Sequence, residues 1–391
     1  MEASLVVRTE PLCRCVRTCF KQFASLKYSL SWLTNYRDCF IKYVHTKVIK
    51  RMGPFRVRFS AADRPRKLLL PVSFGVSSLT LLHVLDHHLS NQKEKTGRMG
   101  FELQVLFVDT SAVERASPEP QLVSHLKDQF SDHCCITVSL SSILANDGAS
   151  GEADLREFLP AVAKADAQPL SAEQRLEYLV KSLPSATARS DVISVLRIRL
   201  IAKIAEEKGC EGILWGDCTT RLAEKTLAET AKGRGFSLPW QVTDGESPYG
   251  ITFNYPLQDL LKKELIAYAN MANPSFSSLI HQSSGSGQPS ASSKNTTIDD
   301  LMKQYFESVE ENYPSIVANV VRITGKLQAP PSQSTGQRCK LCSMPVTNGN
   351  FGIHGWGGNQ EDSVGTSSEL SGNGFCYGCT RSVPQPTVLL P

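Results

Sequence analysis

The chain has 391 residues, 41% hydrophobic and 20% charged, with a formal net charge of +4, which excludes a disordered or fibrous protein and suits one large domain with smaller appendages. No apolar run approaches the roughly 20 residues of a membrane span, and the start, MEASLVVRTEPLCRC, lacks the regions of a signal peptide. A cytoplasmic protein with no membrane partner is expected, and in that reducing compartment twelve cysteines point to metal ligands or redox chemistry rather than disulfides.

Residues 1–60 read as a basic, cysteine-containing N-terminal arm. From Lys42 to Lys67 there are nine Lys or Arg in 26 residues against one acid, Asp63, with Tyr43, His45, Phe55 and Phe59 among them. Cations can track a phosphate backbone while the rings meet unpaired bases, so Lys42, His45, Lys47, Lys50 and Arg51 are the candidate RNA contacts. The competing reading is a solvated helix face followed by a linker.

Residues 61–328 alternate apolar runs with helical patterns, the signature of a parallel α/β sheet. Strands are predicted at 67–73, 103–109, 134–140, 212–216 and 250–255. Helices are predicted at 77–91, 119–131, 173–182, 190–208, 219–231, 257–270 and 298–324. In the 190–208 helix, Ile193, Leu196, Leu200 and Ile204 fall near helical spacing and mark its core face. The small, polar stretches 146–157 and 283–297 read as loops, and 328–337 divides this body from the tail 329–391.

Between the first strand and its helix runs Ser73-Phe74-Gly75-Val76-Ser77-Ser78. Strand, small-residue turn and helix is how many α/β proteins hold a phosphate, through backbone N–H groups and the positive end of the helix. Here Phe74 takes the place of a second glycine and is expected to crowd the approach to a phosphate, and the loop has no acid.

The tail carries Cys339-Lys-Leu-Cys342 and Cys376-Tyr-Gly-Cys379. Two such knuckles set four thiolates around one tetrahedral Zn²⁺, at about 2.3 Å each, so a C-terminal zinc ribbon is expected. Two unrelated pairs of free thiols are the bland alternative. At the front, Cys13, Cys15, Cys19 and Cys39 form no pair of knuckles. Cys134 and Cys135 lie in a strand, Cys210 ends a helix, and Cys218 is the one candidate for direct sulfur chemistry.

Residues 73–78 resemble the S-G-G-x-D-S loop of the PP-loop ATP pyrophosphatases, keeping the first Ser, one Gly and the last Ser. RDCFIKYVHTKVIKR, LLPVSFGVSSLTLLHVL, ILWGDCTTRLAEKTL and CKLC…FCYGC occur in an order that resembles the fungal cytoplasmic tRNA 2-thiolation protein 2 family from about residue 37 onward. The resemblance implies a PP-loop α/β fold and a part in placing sulfur on the wobble uridine of tRNAs for Lys, Glu and Gln. It also implies a heterodimer with a sister subunit, tRNA 2-thiolation protein 1, and sulfur from a thiocarboxylated Urm-type carrier. ATP and Mg²⁺ would serve the complex, activating the uridine C2 oxygen by adenylation.

Two departures bear on this chain's share of that work. Ser77 replaces the loop Asp, and where the sister-type proteins read G-H-N-A-D-D-x-A-E-T this chain has Gly216-Asp217-Cys218-Thr219-Thr220-Arg221-Leu222-Ala223-Glu224-Lys225. Ser73, Gly75, Ser77, Ser78, Asp109 and Gly216 are therefore read as a vestigial nucleotide site, and the chain as a non-catalytic partner. A self-sufficient tRNA sulfurtransferase using Ser73, Gly75 and Ser78 is one alternative, and a zinc-ribbon adaptor that never meets nucleotide is another.

The family pattern also sets two C-x-x-C pairs at the front. Removing residues 15–37 joins Cys13-Arg14 to Asp38-Cys39 as one such pair. Those residues, lacking clear periodicity and allowing a branch-point-like string at Leu33-Thr34-Asn35, read as a retained intron. On that reading the other pair lies upstream of Met1, and Cys13 and Cys39 are half of a second zinc site.

Overall fold

A computed structural model describes residues 30–59, 66–114, 117–144, 170–281, 296–329, 338–345 and 374–383, with side chains from residue 37 onward. Its centre is a six-stranded sheet, β1 (Lys67–Pro71), β2 (Glu102–Asp109), β3 (Cys134–Ser139), β4 (Gly212–Leu214), β5 (Gly245–Glu246) and β6 (Thr252–Asn254), in the order β3-β2-β1-β4-β6-β5. All neighbours pair in parallel except β5, which lies antiparallel on the edge of β6. Leu68 pairs with Leu103 on one side and Gly212 on the other. The chain thus winds outward from β1 through β3 and returns to β4 across β1. That reversal opens the crevice where doubly wound folds bind ligands, bordered by the turns after β1 and β4.

Alternation along β1 divides the core into two layers. Leu68 and Leu70 face α1 (Leu30–Arg51), α2 (Val76–Thr96) and, later in the chain, α7 (Lys262–Met271). Leu69 faces the layer that holds α4 (Ala172–Lys181), α5 (Ala186–Glu207) and α6 (Thr219–Ala231). A short helix, α3 (Pro120–Gln129), precedes β3. The predicted stripe of α5 is buried throughout. Ser185 caps that helix by accepting from Ala188 N–H at 3.0 Å, so it begins four residues before the predicted start.

The helix expected over 298–324 is two, α8 (Ile298–Asn312) and α9 (Pro314–Thr324). Pro314 has no N–H to continue α8 and instead opens α9.

Helix α1 corrects the reading of residues 42–59 as part of a basic arm. Phe40, Val44, Val48 and Met52 recur every four residues, are at most 3% exposed, and pack in the same core as Leu79 and Leu265. The change of composition near residue 60 is no boundary in packing. Cys13 and residues 15–29 lie outside the described residues, and so do 146–157 and most of the two linkers.

Candidate functional site

The turn after β1 is closed on itself. Ser78 Oγ donates to the Gly75 carbonyl at 3.1 Å and accepts from Ser73 N–H at 3.3 Å, while Ser73 Oγ lies 3.4 Å away. Ser77 hydrogen-bonds the Cys218 sulfur. Ser73 is exposed. Phe74 does not crowd the crevice as expected. With φ at 57° it turns its ring into the core, fully buried and edge-on to Phe107 with centroids 5.1 Å apart. The left-handed conformation costs about 1–2 kcal/mol, which burial of the ring offsets. Glycine is not required at position 75, since an added Cβ would meet only Ser73 Oγ, at 3.5 Å.

The opposite lip is packed as tightly. A Cβ on Gly216 would lie 2.8 Å from Ser78 Cα, so this glycine lets the β4 turn press against the start of α2. Cys218 caps α6, is 1% exposed, and has its thiol pushed up by burial. A nucleophilic or sulfur-carrying cysteine needs access and thiolate character, and Cys218 has neither. Thr220 donates to the buried Glu310 carboxylate of α8 at 2.6 Å and accepts from Lys262 N–H at 3.0 Å. Asp217 lies 3.7 Å from Lys225. Asp109 holds the turn after β2, accepting from Ser111 N–H at 2.9 Å and more distantly from Ser117. The residues bordering the crevice therefore do not fit a Mg²⁺-bound triphosphate: the loop has no acid, and its neighbouring carboxylates serve turns and ion pairs.

The four tail cysteines converge. Their sulfurs all lie within 4.8 Å of one another, and Cys342 and Cys376 are 3.7 Å apart. Four sulfurs about 2.3 Å from one tetrahedral ion would be about 3.8 Å apart, so the set fits a single metal ion and, being a complete set of four, leaves no open position. The first knuckle is shaped by Cys339 N–H donating to Met344 O at 2.9 Å and Ser343 N–H to Cys339 O at 2.8 Å. The second is the start of α10 (Tyr377–Ser382), with Cys376 at its N-cap.

The expected set of four cysteines is brought together, and it is packed against the α/β body. All four cysteines belong to the core shared with α5, α6 and Phe253. Among the described residues, the tail contributes one isolated β-bridge, Arg338 to Pro345, and the short α10. Arg199 of α5 donates to the Lys340 and Leu341 carbonyls at 3.0 Å each, and Tyr249 donates to the Cys342 carbonyl at 2.8 Å.

Arg234, 2% exposed, bonds Asp191 and Glu229 and approaches Cys379 Sγ at 3.8 Å. A Cβ on Gly378 would collide with Arg234 Cγ, which fixes glycine inside the knuckle. Against the upward push of burial, the Arg234 and Lys232 charges hold Glu229 down to about 2. The sequence reading missed Asp191, Arg199, Arg234 and Glu310. For Asp191 and Arg199, the available signal was charge on the apolar face of α5.

The five expected RNA contacts are divided by the structure. Lys42 and Lys50 are exposed on α1. Lys47 stands over the Tyr43 ring at 5.5 Å, and Arg51 pairs with Asp259 at 2.8 Å. His45 is a correction: it bonds the Tyr268 hydroxyl at 2.8 Å, and burial together with His87 lowers its pKa to about 4. A neutral, engaged imidazole is not a phosphate contact. Cys39 is exposed.

Fold and site define a doubly wound α/β protein whose turn after β1 is closed by its own serines and whose core holds a four-thiol centre. Residues 297–381, from α8 through the thiol centre, match the family model described as Cytoplasmic tRNA 2-thiolation protein 2. A protein of that name from Phaeosphaeria nodorum is 52% identical over 97% of this chain and 92% of its own length. The one from Pyrenophora tritici-repentis is 50% identical over 98% and 93%. Among solved structures, the U34-tRNA thiolase NcsA from Methanococcus maripaludis with its [4Fe-4S] cluster aligns over 81% of this chain and 87% of its own, at 14% identity and a TM-score of 0.48. The chain belongs to the cytoplasmic tRNA 2-thiolation protein 2 family.

Proposed function

We propose that this chain works in cytoplasmic tRNA 2-thiolation as the non-catalytic subunit of the sulfurtransferase. Its partner would be tRNA 2-thiolation protein 1, its substrates the tRNAs for Lys, Glu and Gln, and its sulfur source a thiocarboxylated Urm-type carrier. Family membership supports the process, and the name its relatives carry supports the cytoplasm. Among the described residues no helix is long and apolar enough to cross a membrane.

The observation that carries the non-catalytic assignment is the crevice. Ser78 is spent on Gly75 and Ser73, Cys218 is buried, and Thr220 is locked to Glu310. Adenylation needs cations and acids arranged around a triphosphate; the turn after β1 has neither, and after β4 Asp217 pairs with Lys225 and Arg221 with Glu224. The sister subunit would supply that chemistry, while this chain contributes surface, with Lys42 and Lys50 meeting tRNA phosphates. Zinc held by Cys339, Cys342, Cys376 and Cys379 would supply a structural cross-link between the tail and α5.

The test is wobble thiolation in vitro, read as tRNA retardation on a mercury-containing gel. Product is expected only when both subunits are present with ATP, carrier and tRNA. Product from this chain alone would establish the self-sufficient alternative.

A further inference from the structure

A cavity of about 220 Å³ lies where α1, α2 and the end of α7 meet, away from the phosphate loop and the thiol centre. Arg37, Asp38, His45, His87, Tyr268 and Asn273 line it. Pockets for whole drug-sized ligands run to about 300–1,000 Å³, so this one has room for a single ring system.

Its proton arrangement follows from one carbonyl. His83 Nε2 lies 3.2 Å from Pro274 O, which only accepts, so Nε2 carries the hydrogen and His83 Nδ1 accepts from the Tyr268 hydroxyl at 2.9 Å. Tyr268 oxygen then accepts from His45 Nε2 at 2.8 Å, and His45 Nδ1 is left as a bare acceptor. Arg37 gives its Nε to Met271 O at 2.9 Å and, among the described residues, keeps both Nη groups for another partner. Asp38 adds an exposed carboxylate, and Asn273 an amide that both donates and accepts.

The lining thus offers donors and acceptors with one positive and one negative charge. An anion would meet Asp38 and a cation would meet Arg37; a neutral, flat ring with donors and acceptors on its edge meets neither penalty. The His45 and His87 rings both line the cavity and stand edge to face, centroids 5.0 Å apart, so it has aromatic walls against which a flat ring can pack. We propose that this cavity takes one unstacked nucleobase, read on its edge by Arg37, Asp38 and Asn273 and stacked on histidine. Lys42 lies between the lining residues Ile41 and His45 on α1 and is exposed, where it can meet a flanking phosphate. The biological ligand, an unpaired base of tRNA, rests on the function proposed above.

The experiment uses the full chain with uridine, cytidine, adenosine and guanosine, which carry no phosphate and so report on recognition of the base alone. Saturation-transfer NMR reads binding to the parent, to Asp38→Ala and to His87→Ala, both at exposed helix positions. At least one nucleoside is expected to bind in the millimolar range and to lose about fivefold in affinity in each variant, the low end of what one base stack is worth for His87→Ala and of one hydrogen bond to a charged group for Asp38→Ala. Absence of binding, or binding that both variants leave unchanged, overturns the inference.

A parallel gel shift with a tRNA transcript for Lys keeps the two readings apart. Nucleoside failure with unchanged tRNA binding removes the cavity and leaves the tRNA role. Nucleoside binding without tRNA binding keeps the cavity and removes that role. Lys42→Ala is expected to reduce the salt slope of tRNA binding by about one, and an unchanged slope excludes the phosphate contact.

Discussion

Thr220 and Glu310 meet across the start of α6, hydroxyl to carboxylate at 2.6 Å, and the same hydroxyl accepts from Lys262 N–H. Glu310 is 5% exposed and also takes Lys263 N–H at 2.9 Å. The position where sister-type proteins carry an acid is here a junction of α6, α7 and α8. Thr220→Val keeps the shape and removes both bonds, so it should cost about 1–3 kcal/mol, read as a lower urea midpoint. An unchanged midpoint would mean the junction is not structural.

Arg234 joins the thiol centre to the body. Removing its charge leaves Asp191 and Glu229 buried without their main partner, a change that typically costs about 3–5 kcal/mol. Arg234→Met should therefore lower the thermal midpoint and the fraction of chains that retain metal through dialysis. A variant that melts as the parent does would separate the ion cluster from the centre.

The same integration predicts the result of metal removal. One zinc per chain is expected by elemental analysis, abolished by Cys342→Ser, and chelation should shift the unfolding of the whole α/β body. A ribbon independent of the body would instead unfold alone and leave the main transition in place.

Acid sensitivity should come from the histidines between α1 and α2. Burial and His87 put folded His45 at about 4, against about 6.5 in an unfolded chain. Between those values the unfolded state binds more protons, so stability rises with pH there. The contribution is complete above about pH 6.5 and is lost as pH falls toward 4. Burial lowers His83 and His88 as well, which steepens the fall. His45→Gln should lose less of its urea midpoint between pH 7 and pH 5 than the parent does; equal losses would exclude His45 as a source.

The five longer strands and the α5 stripe were legible in the sequence because short apolar runs mark strands and a period of 3.6 marks the core face of a helix. β5, two residues on an edge, carries no such pattern. α1 was hidden by its cations: Phe40, Val44 and Val48 have helical spacing, but Lys42, Lys47 and Lys50 among and after them read as an RNA-facing stretch. The cysteine spacing gave the four-thiol set, yet its burial depends on Arg199, Arg234 and Tyr249, which are far from it in sequence. Phe74 shows the same limit. Its identity suggested a blocked crevice, and only its backbone angle reveals that the ring points into the core.

The most direct measurement is thiolation by the reconstituted two-subunit complex with Ser73→Ala and Gly75→Ala introduced together in this chain. Neither change is expected to disturb folding, since Ser73 is exposed and Gly75 has room for a Cβ. The rate should stay within about twofold of the parent, as for a surface change outside the reacting site. A loss of about a hundredfold, the scale of removing one transition-state donor, would show that this loop handles the nucleotide.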